Sequence, residues 1–149
     1  LFAVLLFYLH YRRQEKRGLM AISLLAILML LLFVHEGFGV GWLTGFVLLN
    51  LVMWLIGGTV CRLYFLLLAF LTLEESVLGT LNLLLYAIVD PSAAGDAANL
   101  AATTGIPAPA WSAVFVVVAF LCAREAIRLL FRGMRERLQR YERQHESYY

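Results

Sequence analysis

Leu63–Val89 reads LYFLLLAFLTLEESVLGTLNLLLYAIV, and this stretch decides the fold. A helix needs roughly 20 mainly apolar residues to cross a hydrocarbon core about 30 Å thick. This stretch is longer than that, and its polar residues are not scattered. Thr72, Glu75, Gly79, Asn82 and Tyr86 are spaced i, i+3, i+7, i+10 and i+14, one face of a helix with 3.6 residues per turn. A carboxylate near the bilayer centre costs at least about 2.5–3.5 kcal/mol unless it is paired, hydrated or protonated. The stripe is therefore expected to face a bundle interior or a wet cavity. Glu75 is its foremost member, Glu74 lies one residue away, and Asn50 is a candidate partner. Two uses fit: the lining of an active-site cavity or ion path, and a polar clamp between helices.

Working outward, the rest of the chain has the same character. Of its 149 residues, 62% are hydrophobic and 15% charged, whereas a soluble domain is about half apolar and a quarter charged. The predicted fold is all-α, a polytopic transmembrane helix bundle in a single membrane domain over 1–149. Four full spans are expected at 18–34, 38–60, 63–89 and 110–131. Cys61-Arg62 is expected to mark the tight turn between the second and third. The first ten residues form an apolar block that stops at Tyr11-Arg12-Arg13. Ten helical residues cover about 15 Å, half of the core. Residues 1–11 are thus expected to be a truncated helix, and the chain the C-terminal portion of a longer protein. Cys61 and Cys122 form no CxxC and no zinc-ligand spacing.

Charge orients the arrangement. The basic residues gather in Arg12–Arg17 and in the C-terminal stretch, with Arg62 between them. Cytoplasmic flanks carry the excess Lys and Arg. Placing Arg12–Arg17 inside puts His35-Glu36 outside, Arg62 inside, the 90–109 connector outside and the 132–149 tail in the cytoplasm. Neither outside loop then holds a Lys or Arg.

Two further patterns suggest partners. Gly37, Gly41 and Gly45 repeat at i, i+4 and i+8, a double GxxxG. Such a face lets two backbones approach closely. A packing seam is expected there, against a neighbouring helix, another membrane protein or a second copy. In the tail, Ile127, Phe131, Met134, Leu138 and Tyr141 form an apolar stripe beside a basic face of Arg124, Arg128, Arg132 and Arg135. This reads as an amphipathic helix on the anionic inner leaflet of the lipid bilayer. Gly133 is a point where it is expected to bend or stop. Nucleic acid is not expected as a partner, because the membrane already accounts for the stripe.

The connector has its own character. Gly95–Trp111 reads GDAANLAATTGIPAPAW. Asp96 is placed to cap a short helix over 97–103, Gly105 to stop it, and Pro107 and Pro109 to lead into the next span. Trp111 fits an interfacial anchor. The residues Asp96, Ala97, Ala101, Thr104, Gly105, Ile106, Pro107, Ala108 and Trp111 resemble the signature before the last membrane helix of the M50B-like peptidases, relatives of the site-2-protease zinc metallopeptidases. The resemblance covers roughly residues 12–127. It implies an integral protein of the bacterial cytoplasmic membrane, related to zinc-dependent hydrolases that cut within the membrane. Asp96 or Asp90 is then open as a metal ligand.

The residues needed for such a centre are not all here. Two histidines one helical turn apart bind the zinc in HExxH, and the glutamate activates its water. This sequence offers His35-Glu36-Gly37-Phe38-Gly39, with glycine at the second ligand position. His10 and His145 fall on the opposite side by the charge topology. No metal site and no catalytic residue are assigned, no cofactor is expected on these residues, and the resemblance implies zinc only for a full-length protein. The covered residues are expected to be scaffold and cavity wall. Two alternatives remain: a non-enzymatic membrane scaffold or assembly protein, and a transporter or channel that uses Glu75 and Asn82.

Overall fold

The computed structural model describes residues 1–34 and 36–146. The regular elements among them are all helical: α1 (Phe2–Tyr11), α2 (Glu15–Leu32), α3 (Gly37–Ile56), α4 (Gly58–Val89), a 3₁₀ turn at Pro91–Ala93, α5 (Gly95–Thr104) and α6 (Ala108–Glu146). The all-α class is as expected. Two of the helices, Gly37–Ile56 and Gly58–Val89, are long and apolar enough to cross a membrane.

Two boundaries differ from expectation, each for a physical reason. The turn between α3 and α4 lies at Gly57 and Gly58, not at Cys61-Arg62. Both glycines have positive φ, +65° and +58°, a conformation glycine adopts without strain. Cys61 and Arg62 therefore belong to α4, and Cys61 is buried. The predicted break at Gly133 is also absent. α6 continues through it as one helix of 39 residues, about 58 Å long at 1.5 Å per residue.

The chain divides into two compact units, Leu6–Ala69 and Leu1–Leu5 with Phe70–Tyr149. In the 6–69 unit, α2 runs along α3. Leu6, Phe7, Leu19 and Phe65 are fully buried. A Cβ on Gly18 would overlap the Phe65 ring, so glycine is what lets these two helices close. In the other unit, Ala87, Ala94, Ala97 and Ala108 make a buried cluster covered by Leu83, Trp111 and Phe115. Alanines keep the backbones near one another and lose no side-chain entropy on burial.

Candidate functional site

The connector folds into an elbow built on Thr104. Its hydroxyl donates to the Leu100 carbonyl at 2.6 Å. It accepts from the Trp111 indole N–H at 3.0 Å and from the Ile106 N–H at 3.4 Å. One donor and two acceptor positions fill a hydroxyl's capacity. Gly105 caps α5 in the left-handed region, φ +73°, and its N–H donates to the Ala101 carbonyl. Pro107 then precedes α6, whose first turn has no need of the N–H that Pro109 lacks. Thr104, Gly105, Pro107 and Trp111 thus stop one helix and start the next at a fixed angle.

Asp96 has a different place from the one expected. α5 begins at Gly95, so Asp96 lies inside its first turn, and the N-cap position belongs to Ala94. The exposed carboxylate there still complements the positive end of the helix. Asp90 caps a different element, the 3₁₀ turn at Pro91–Ala93, accepting from the Ser92 N–H and hydroxyl. Among the described residues no group of three His, Cys, Asp or Glu side chains could hold a metal ion. The described residues do not fit a zinc centre. The HExxH-like start at His35 lies outside the described residues.

The polar stripe of α4 is turned outward. Glu75, Asn82 and Tyr86 are exposed and Thr72 is half-buried, while the packed positions nearby are Leu73 and Ala87. Asn50 is not its partner: the Tyr64 hydroxyl donates to Asn50 Oδ1 at 2.8 Å. Glu74 rather than Glu75 shares a groove with α6, lined also by Arg124 and Arg128. The glycine face of α3 is open as well. A Cβ at Gly37, Gly41 or Gly45 would meet no atom within 4 Å, so within this chain the seam packs against nothing among the described residues.

A buried ionic cluster in the 6–69 unit goes beyond the sequence expectations above. Glu15 Oε1 lies 3.5 Å from His10 Nδ1 and 3.4 Å from Arg62 Nε. His10 and Glu15 are buried and Arg62 is partly exposed. Three helices meet at one carboxylate, which also stands in the first turn of α2, where the helix dipole favours negative charge. The signal was present: Glu15 is the lone acid in RRQEKR.

These features define a class of protein: an all-helical chain with helices suited to a membrane, and an elbow built by a Thr-Gly-Ile-Pro…Trp motif. The chain belongs to the Peptidase M50B-like family, whose model matches residues 1–124. That match takes in α1 to α5 and the apolar part of α6. No curated protein and no solved structure matches it.

Proposed function

We propose that these residues are the helical scaffold and cavity wall of an intramembrane zinc-peptidase-like protein, rather than its catalytic centre. Four crossings, at 18–34, along α3, along α4 and at 110–131, form one membrane domain, with the connector outside and both basic ends in the cytoplasm. The observation that carries this reading is the family match over residues 1–124, taken with the carboxylates it encloses. Glu74 and Glu75 are exposed near the middle of a 32-residue apolar helix. Charge at that depth requires water or a polar neighbour, and a wet cavity supplies it. The anionic leaflet holds the arginine face of α6, and the glycine face of α3 is left for another membrane protein or a second copy.

The test is Glu75→Gln in the full-length protein, with proteolysis of a membrane substrate and thermal stability read together. A cavity-wall role predicts lost cleavage at unchanged stability, because glutamine keeps the shape and removes the ionisable group. Full activity in Glu75→Gln and in Glu75→Leu would overturn it.

A further inference from the structure

Between α2 and α3 in the 6–69 unit runs a groove of about 540 Å³, lined almost wholly by apolar atoms. Three residues in its wall carry polar donors, Ser23 on α2 and, one helical turn apart on α3, Asn50 and Trp54. Asn50 is 1% exposed. Because the Tyr64 hydroxyl donates to its Oδ1, its Nδ2 is the donor left over. Asn50 Nδ2 and Trp54 Nε1 are both buried without a hydrogen-bond partner. A buried donor left unpaired is destabilising, and an acceptor entering the groove relieves that once the side chain turns toward it. Both donors sit within the last two turns of α3, which ends at Ile56. At that same end the exposed Lys16 ammonium stands 5.1 Å from the centre of the Trp54 ring.

From the apolar length to the mouth, the groove offers hydrocarbon contact, then N–H donors, then a cation. This is the order of an acyl chain, an ester carbonyl and a phosphate. We propose that the α2–α3 groove binds one anionic phospholipid, its chain along Leu24, Ile27, Val47 and Leu51, its ester carbonyl at Trp54 and Asn50, and its phosphate at Lys16. A helix from a second copy would fit the apolar length but not the donors, since its carbonyls are already bonded within the helix. A lipid ester brings a free acceptor. The proposal rests on the membrane placement of α2 and α3 given above, and is separate from the arginine face of α6.

The full chain, delipidated in detergent, is titrated with phosphatidylglycerol or phosphatidylcholine and read by native mass spectrometry. One phosphatidylglycerol is retained in preference to phosphatidylcholine. Trp54→Phe keeps the ring and removes the donor, lowering affinity about five-fold, the equivalent of one hydrogen bond. Lys16→Gln abolishes the headgroup preference, and Leu24→Trp fills the groove and lowers retention of both lipids. Retention unchanged in Trp54→Phe and Leu24→Trp overturns the site. So does a preference that survives Lys16→Gln and vanishes in Arg124→Gln/Arg128→Gln, or a lipid-free dimer that Leu24→Trp dissociates. A wrong membrane orientation appears separately, in residue accessibility on intact cells, and leaves binding in detergent unchanged.

Discussion

Gly18 and Gly41 both lie on helices of the 6–69 unit, and their surroundings are opposite. Gly18 faces the fully buried Phe65 ring, with no room for a Cβ. Gly41 belongs to a regular GxxxG face, yet a Cβ there meets open space. Spacing tells where two backbones are able to approach. Whether they do depends on the partner, and α2 has a large aromatic from α4 to receive while the α3 face has none among the described residues. A lone glycine under a buried ring constrains this fold more than three glycines in a motif.

The comparison breaks most readily at Gly18. Gly18→Leu should lower stability by about 3 kcal/mol or more, the upper range for overpacking a core. Chemical unfolding in detergent measures it, and pairing it with Phe65→Ala should recover part of the loss as a coupling energy. Next comes the ionic cluster that closes the same unit. Glu15→Ala leaves His10 and Arg62 facing each other without their shared carboxylate. About 2 kcal/mol is expected, below the full cost of breaking a buried pair because Arg62 remains partly hydrated. Trp111→Phe, in the other unit, removes one hydrogen bond to Thr104 and should cost about 1 kcal/mol, read as a lower unfolding midpoint. Gly41→Leu is the smallest. It should change the stability of the monomer by no more than about 0.5 kcal/mol, and any larger loss would mean that the seam is covered in the membrane by another chain. Crosslinking yield separates those outcomes.

What the sequence made legible follows from hydropathy and from residues with a fixed backbone meaning. A run as apolar as Leu63–Val89 has to be a helix in lipid, since its backbone groups must bond internally, and α4 includes all of it. The connector was legible because Gly105 and the prolines each have a fixed backbone meaning, and they act at the positions expected of them. Other features depend on tertiary partners. Cys61-Arg62 looked like a turn because Arg is polar, but Arg62 is drawn to Glu15, and the chain reverses where Gly57 and Gly58 permit positive φ. Asp96 looked like a cap because of its type, while the cap was set by where α5 could begin. Periodicity placed Thr72, Glu75, Asn82 and Tyr86 on one face, but could not say which face α4 would pack. Leu73 and Ala87 are buried instead.

The arrangement proposed for these helices makes α2, α3 and α4 three successive crossings, which sets Gln14 and Ser92 on opposite sides of the membrane. Single cysteines at Gln14 and at Ser92, in a chain with Cys61 and Cys122 replaced by serine, are probed on intact cells with a membrane-impermeant maleimide. The account predicts labelling at Ser92 and protection at Gln14. Labelling of both, or of neither, would mean that only two of the three helices cross, and labelling at Gln14 alone would invert the orientation; either result contradicts it.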